Sequence, residues 1–246
     1  MTSFVLQRSK GHRERYREIA GAFIHYGFDY LLPYFGSEWQ LPGRSVPTGA
    51  QGNEALTEHD LAVHLRQALE ELGPTFVKLG QALSTRPDLP PPPCIAELSM
   101  LQDMVSPEPW DAIREVITQE LGRAPEDVFA TIDPQPMATA SLAQVHAATL
   151  PNGEEGVVKV QRPNIVPTIS TDLDILQELA AAAQSSPLPS KHDYVAVAAD
   201  FVSSLRNELD CRREGRNATA SGRTSLMSHA CTYRACMANK RLRACW

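Results

Sequence analysis

Apolar residues in the first half of the chain recur every three or four positions, which is the spacing of one face of an α-helix. The clearest stripe runs from Leu61 through Leu65 and Leu69 to Leu72. Thr57, with Asp60 three residues later, predicts the start of this helix, and Gly73-Pro74 predicts its end. The same spacing predicts further helices over residues 14–34, 75–84 and 97–104, and one that starts with Ser106-Pro107 and ends at Gly122. A loop is predicted at 36–56 and an extended proline-rich segment at 86–93.

The pattern changes to that of β-strands in the second half of the chain. Strands are predicted over residues 144–150 and 157–160, joined by an Asn152-Gly153 turn in which both residues are expected to have positive φ. Helices are then predicted from a Thr171 cap to Ala183 and from Tyr194 to Asn217, with a loop at 185–190. The fold class is therefore α+β, with helices before about residue 123 and a small antiparallel sheet whose second strand carries Lys159.

Composition narrows the class of protein and of partner. The 246 residues are 43% hydrophobic and 21% charged, as in ordinary globular proteins, and the net charge of −6 argues against nucleic acid as a partner. No apolar run is long enough to predict a membrane span, and residues 1–18 do not resemble a secretory signal. We therefore expect a cytoplasmic protein, with peripheral attachment to a membrane as an alternative.

Residues 219–246 differ from the rest of the chain. They contain five basic and no acidic residues, and their apolar residues have no periodicity. A basic arm for a nucleic acid or a membrane is one interpretation. The interpretation that we favour is an aberrant or disordered tail outside the fold. His229, Cys231, Cys236 and Cys245 do not have the spacing of a common zinc site, so we expect free thiols and no metal.

Lys159 is the first candidate for chemistry, because it lies in an apolar strand beside a hairpin, where kinases hold nucleotide phosphates. A lone strand lysine is more often a solvated surface residue, and that alternative stays open. The small residues before the first predicted strand would let a backbone approach a phosphate, or would simply pack closely. Lys78 and Gln81, with Gly80 between them, share a helix face that is equally consistent with a plain surface helix.

Six blocks taken together resemble the UbiB-like atypical kinases, in the family's order and over residues 14–218. The blocks are Lys78-Leu-Gly-Gln81, the Ala-Leu-Ser-Thr-Arg-Pro-Asp-Leu segment that follows it, Glu97-Leu-x-x-Leu-Gln-Asp103, Ala138-Thr-Ala-Ser-Leu-Ala-Gln-Val-His146, Val158-Lys-Val-Gln-Arg-Pro163 and Glu208-Leu-Asp-Cys-Arg-Arg-Glu214. The resemblance implies a protein-kinase-like small lobe with a helical extension in front of it. It also implies ATP as ligand, with Mg²⁺ expected for the family, and prenyl-quinone lipids or quinone-biosynthesis proteins as partners.

The resemblance also implies a role for each matching residue. Lys159 would hold phosphate and pair with Glu214, while an alanine-rich loop of Ala138, Thr139, Ala140 and Ser141 would replace the usual glycine-rich loop. Lys78, Gly80 and Gln81 would restrain protein-kinase activity, and Glu208 with Asp210 would belong to the same extension and face its helix. The implied domains are an N-terminal helix and loop at 1–56, the extension at 57–122, the small lobe at 123–218 and the tail at 219–246.

Two departures from the family pattern concern single residues, since Thr139 interrupts the alanine run and Gly215 replaces a preferred alanine. The larger one is that nothing after Asn217 matches a catalytic loop or a metal-binding Asp-Phe-Gly, so the large lobe and the Mg²⁺ ligands are expected to be absent from this chain. The main hypothesis is an ATP-binding kinase or ATPase-like protein linked to ubiquinone or related quinones, truncated before its catalytic loop. The alternatives are a non-catalytic nucleotide- or lipid-responsive scaffold and a non-functional truncated product.

Overall fold

The computed structural model describes residues 10–29, 31, 57–101, 106–185, 192–210 and 235–239. The chain divides into two compact units, one made of Met1–Gln102 with Thr168–Val202 and the other of Asp103–Pro167 with Ser203–Trp246. We call them the helical unit and the sheet unit. Their boundaries differ from the four segments predicted from the sequence, because residues 103–122 group with the sheet and residues 168–202 with the helices.

The described elements are first helices, then three strands, then two further helices and a last strand. In chain order they are α1 (Lys10–His25), α2 (Glu58–Leu72), α3 (Pro74–Ser84), α4 (Pro92–Leu98), α5 (Trp110–Leu121), α6 (Pro125–Val128), β1 (Thr131–Thr139), β2 (Ala143–Thr149), β3 (Glu155–Gln161), α7 (Ile165–Gln184), α8 (Tyr194–Leu209) and β4 (Ala235–Asn239). The α+β fold class predicted from the sequence is confirmed, with helices first and a small antiparallel sheet after them.

The helical unit packs α1, α2, α3 and α4 around one apolar core that also includes residues of α7. Its buried members include Ile19, Leu69, Phe76, Leu98 and Ile175. The start of α2 agrees with the sequence prediction, since Thr57 and Asp60 form a capping box. The Thr57 hydroxyl and the Thr57 backbone N–H both donate hydrogen bonds to the Asp60 carboxylate. These bonds lower the pKa of Asp60, and the hydroxyl has the larger effect.

The sheet unit contains one antiparallel sheet in the order β1-β2-β3-β4. Its core lies between α5 and the sheet, where Ile113, Val116 and Ile117 pack with Val158 and Val160. Lys159 therefore lies on the third strand of the sheet and not on the second as predicted, because β1 precedes the two strands that the sequence pattern identified.

Proline explains why β1 is absent from the sequence prediction. Pro134 and Pro136 lie within this strand, and proline is excluded from central strands because it cannot donate to the ladder. The structure places β1 at the edge of the sheet, and the pairing with β2 shifts register on both sides of Pro136. The prolines thus occupy an irregular edge strand, where they are tolerated.

Proline also shifts two predicted helix starts, because it is accepted in the first turn of a helix. Helix α4 begins at Pro92, inside the segment predicted to be extended, and ends at Leu98, so the helix predicted over 97–104 is wrong at residues 99–101. Helix α7 begins at Ile165 with Pro167 in its first turn, and Thr171 lies within the helix instead of capping it. Residues 102–105 lie outside the described part of the chain.

The ends of α1 and α5 and the turn after β2 also differ from the prediction, because the residue that caps or turns the chain is not the one that the sequence pattern indicates. Helix α1 ends at His25, where Gly27 has a φ of 85° and Phe28 N–H donates to Phe23 O at 2.8 Å, and not near Pro33. Helix α5 is capped by Pro109 and not by Ser106, although it ends before Gly122 as predicted. In the turn after β2, Gly153 has a φ of 85°, whereas Asn152 lacks the predicted positive φ and accepts a hydrogen bond from Glu154 N–H at 3.0 Å.

The last described strand, β4, falls in the segment predicted to be a tail outside the fold. It pairs with β3 in a register that places Lys159 opposite Cys236. Helix α8 ends at Leu209, and residues 211–217 of the helix predicted to Asn217 lie outside the described residues. The predicted loop at 36–56 and all but the first residue of the loop predicted at 185–190 lie outside them too. The zinc alternative at His229, Cys231 and Cys245 falls there too.

Candidate nucleotide site

The two faces of the sheet differ in their side chains. Along β2 and β3 buried and half-buried residues alternate, as expected for strands with one face in the core. The buried face packs against α5. The half-buried face carries Val145, Ala147, Val157 and Lys159.

Lys159 belongs to a row that crosses the sheet on the half-buried face. Its cross-strand partner is Val145 on β2, and the partner of Val145 on β1 is Ala138. Directly opposite residues in antiparallel strands have neighbouring side chains. A cationic side chain therefore ends a row whose other two members are apolar, a combination that suits a flat ring with an anionic tail.

The predicted alanine-rich loop is part strand and part turn. Ala138 and Thr139 end β1, while Ala140 and Ser141 lie in the turn that leads to β2. The turn is closed by a hydrogen bond of 2.8 Å from Ala140 N–H to Ala143 O. Ser141, a member of the predicted phosphate loop, is only 1% exposed, so this residue is buried within the turn.

Arg162, the residue directly after β3, holds this turn in place. Its Nε donates to Ala140 O at 3.0 Å and its backbone N–H to Leu142 O at 3.0 Å. The rest of the guanidinium donates to Glu108 Oε1 at 2.7 Å and to Ser106 O at 2.9 Å. Arg162 is buried, so the ion pair with Glu108 supplies the compensation that a buried charge requires.

A second polar chain runs through the buried face of the sheet. Glu108 N–H donates to Gln144 Oε1 at 2.9 Å, and the Gln144 amide donates to His146 Nε2 at 2.8 Å. His146 Nδ1 then lies 2.7 Å from Asp133 O, a carbonyl that can only accept. This order requires a neutral imidazole with its proton on Nδ1. Burial lowers the pKa of His146, which agrees with the neutral form.

Gln161 connects β3 with the end of α8. Its Nε2 donates to Leu209 O at 2.8 Å, beside Glu208 and Asp210. The Gln161 side chain is buried, and its Oε1 has no hydrogen-bond partner among the residues that the structure describes. Glu214, the predicted partner of Lys159, lies outside the described residues, so their pairing stays a prediction.

The remaining predicted residues belong to the helical unit. Lys78, Gly80 and Gln81 all lie on α3, as expected. Gly80 is buried, and a Cβ at this position would overlap Leu101 Cδ1 and lie 3.0 Å from Leu69 and 3.2 Å from Leu98. Gln81 Nε2 donates to Leu101 O at 3.2 Å. The glycine is thus required by close helix packing.

Four residues of the site have no predicted role from the sequence, namely Arg162, Gln161, Gln144 and His146. All four lie within blocks that carry the family resemblance. For Arg162 the sequence does offer a signal, because this charged residue stands between an apolar strand and a proline. A charged residue in such a place is buried only when it has partners.

The described residues contain neither a group of metal ligands nor a helix that could span a membrane. No group of three histidine, cysteine or acidic side chains there could hold a metal ion, so those residues do not form a Mg²⁺ site by themselves. Among the helices that the structure describes, none has the length and apolar character needed to cross a bilayer.

Comparison with known families gives one match over more than half of the chain. The model of the ABC1 atypical kinase-like domain matches residues 100–229. The match includes Ala138–Ser141, Lys159 and Arg162, and it continues past residue 218, where the tail was predicted to begin.

Curated relatives cover most of the chain. A probable protein kinase UbiB of Marinobacter nauticus is 42% identical over 211 residues, which are 84% of this chain and 38% of that protein. A probable protein kinase UbiB of Xylella fastidiosa is 45% identical over 202 residues, 82% of this chain and 36% of that protein. An uncharacterized Synechocystis protein is 36% identical over 206 residues, 84% of this chain and 29% of its own length. The chain thus spans well under half the length of these relatives.

A solved structure, the Rv3197–erythromycin complex from Mycobacterium tuberculosis, is also similar, with a TM-score of 0.44 and 23% identity. The likeness covers 70% of this chain and 46% of that one.

Proposed function

Because the chain belongs to the family of UbiB-like ABC1 atypical kinases, we propose that its sheet unit binds ATP on the half-buried face of the sheet. The observation that supports this most directly is the row of Ala138, Val145 and Lys159, which leads from the edge strand beside the small-residue turn to a lysine on β3.

The proposed roles follow from the chemistry of each residue. Val145 and Ala138 offer an apolar surface to the flat adenine ring, and the Lys159 ammonium compensates phosphate charge. Small side chains from Ala138 to Ser141 let the backbone approach the phosphates, where amide N–H groups are good anion donors. We propose that Glu214 orients Lys159, as the family resemblance implies.

Two further roles complete the proposal. Glu208 and Asp210 are proposed to act with Lys78, Gly80 and Gln81 in restraining phosphoryl transfer to proteins. The proposed biological setting is the synthesis of ubiquinone or a related prenyl quinone by a protein associated peripherally with a membrane. It is supported by the resemblance of the six sequence blocks.

ATP binding is tested by titration calorimetry with the wild-type chain and with Lys159→Met. Loss of the ammonium should weaken ATP binding by at least about tenfold, since hydrogen bonds to charged groups contribute about 1.5–3 kcal/mol. Arg123→Met is the matched control, because Arg123 is an exposed cation of the same unit. Its removal changes the net charge equally and should leave the affinity unchanged. Equal affinities of all three proteins for ATP would contradict the proposed site.

The quinone link is tested by repeating the ATP titration in the presence of phospholipid vesicles. Vesicles that contain a prenyl quinone should change the affinity for ATP, whereas the same vesicles without quinone should not. Identical isotherms with both kinds of vesicle would argue against a direct response to the quinone.

A further inference from the structure

We propose that Arg162 is a positioning residue that holds the turn between β1 and β2 in the shape that receives the nucleotide phosphates. The inference rests on the proposed function, since it concerns the same site, and it assigns a role to a residue outside the turn. Arg162 acts through the turn and does not itself contact the nucleotide.

The contacts of Arg162 converge on the turn from one side. Its Nε and its backbone N–H bind two carbonyl oxygens of the turn, those of Ala140 and Leu142. The remaining guanidinium donors bind Ser106 O and Glu108 Oε1, in the segment that leads into α5. One side chain therefore joins the turn to the segment before α5, and Glu108 is joined a second time through Gln144.

The hydrogen bond from Arg162 to Ala140 O also determines how the peptide unit between Ala140 and Ser141 is oriented. The carbonyl and the N–H of one trans peptide unit point in opposite directions. Because Ala140 O is directed at the guanidinium, the N–H of Ser141 in the same peptide unit is directed away from it. Arg162 thus fixes the orientation of the peptide unit between Ala140 and Ser141. Without this side-chain contact the peptide unit can rotate, and the turn loses its fixed shape.

The turn needs such support because its sequence does not restrict it. Ala140, Ser141 and Leu142 carry no proline, and a short loop of small residues has many accessible conformations. Arginine fits the role better than lysine, since its planar fork donates in several fixed directions at once. Burial of the guanidinium at 6% exposure keeps water from competing for these carbonyls.

The test compares Arg162→Ala and Arg162→Lys with the wild-type chain and with Arg114→Ala. Arg114 is a matched control, because it is another arginine of the sheet unit that forms a two-bond pair with a carboxylate, that of Glu126, but on the surface. Hydrogen exchange of residues 140–143 is measured without nucleotide, and the affinities for ATP and adenosine are measured by calorimetry.

We expect faster exchange of these amides in both Arg162 variants and not in Arg114→Ala. ATP binding to Arg162→Ala should weaken by about tenfold, the equivalent of about 1.4 kcal/mol, while adenosine binding stays unchanged. A general loss of structure would weaken both ligands alike. Arg162→Lys retains the charge near Glu108 and should lie between the wild type and Arg162→Ala, so the test remains valid if the alanine variant does not fold.

The outcomes separate this inference from the proposed function. If the wild-type chain binds no ATP, the proposed function is wrong and the positioning role has no ligand to serve. If the wild type binds ATP and the Arg162 variants bind it equally well, or if exchange at residues 140–143 does not change, the positioning role alone is overturned. Parallel losses of ATP and adenosine affinity would also overturn it, because they indicate a structural effect without selectivity for phosphate.

Discussion

Gly80 shows how a single missing side chain can be required by packing. The residue lies within α3, where glycine is intrinsically unfavourable. Three leucines, one from α2, one from the end of α4 and one just after α4, occupy the space that a Cβ would need. Leu69, Leu98 and Leu101 are all buried, so they have little room to move. The motif that carries the family resemblance thus includes a residue whose role in this structure is steric.

Gly80→Ala should therefore lower the free energy of unfolding, by about 1 kcal/mol. Overpacking of a filled core costs about 1–3 kcal/mol, and the gain in helix propensity of up to about 1 kcal/mol only partly offsets it. The measurement is urea denaturation followed by circular dichroism.

Gly21→Ala provides the matched control for this variant. Gly21 is also within a helix, α1, but a Cβ there would have no neighbour within 4 Å. The same chemical change should stabilise the protein by about 0.5–1 kcal/mol at this position. A stabilising effect of the same size at Gly80 would contradict the steric role.

At the scale of elements, three helices of the helical unit meet at one buried carboxylate. Asp172 on α7 accepts hydrogen bonds from Arg15 Nε on α1 at 2.6 Å and from the Thr75 hydroxyl on α3 at 2.6 Å. Arg15 also donates to Leu72 O, the last carbonyl of α2, at 2.6 Å. Polar contacts of this kind fix the relative arrangement of helices that apolar packing alone would leave less specific.

Asp172→Ala should lower the free energy of unfolding by about 2–3 kcal/mol, because it leaves a part-buried guanidinium and a buried hydroxyl without their acceptor. Asp174→Ala is the control, since Asp174 lies on the same helix but is exposed. Its effect should stay within about 0.5 kcal/mol. Equal effects of the two variants in chemical denaturation would show that the buried contact does not stabilise the unit.

The polar chain through β2 predicts a dependence of stability on pH. Burial lowers the pKa of folded His146 below the ordinary value of 6.5, so the unfolded chain binds more protons in the window between the two values. The contribution of His146 is therefore fully present above pH 6.5 and is lost as the pH falls from 6.5 to the lowered value of the folded state.

Denaturation at several pH values checks this expectation. The free energy of unfolding should decrease as the pH falls through this window, and His146→Gln should reduce the slope. His59→Gln, at an exposed position on α2, should retain the slope of the wild type. A slope that survives in His146→Gln would assign the dependence to other groups.

At the scale of the whole molecule, the described residues include Lys159, which we propose holds phosphate, and a turn of small residues. Phosphoryl transfer additionally needs carboxylates that place a metal ion and a base that orients the nucleophile. The sequence contains no match to a catalytic loop or to a metal-binding Asp-Phe-Gly. Binding and turnover of ATP are therefore separate properties for the 246-residue chain.

We expect the purified 246-residue chain to bind ATP without measurable hydrolysis. The measurement is phosphate release with Mg²⁺ present, compared between the wild type and Lys159→Ala. Mg²⁺-dependent release that disappears in Lys159→Ala would contradict this expectation. Binding without release would also agree with the alternative of a nucleotide-responsive scaffold.

Sequence patterns predicted the elements whose local signals agree with their tertiary environment. The Thr57 capping box, the leucine stripe of α2 and the alternation around Lys159 are of this kind. Sequence patterns failed where a residue is tolerated only at a particular place in the sheet. Pro136 is an example, because proline is acceptable in β1 only since β1 is an edge strand. The tether from Arg162 to Ala140 was not predictable either, because it joins residues 22 positions apart through carbonyl groups that every residue has.

The contact between Trp110 and His146 gives the protein an optical property of its own. The two ring centroids are 5.3 Å apart, with an angle of 53° between the ring planes. A protonated imidazole quenches indole fluorescence, whereas a neutral one does so much less. Trp39 and Trp246, the other tryptophans, lie outside the described residues. The emission of Trp110 should therefore change with the charge of His146.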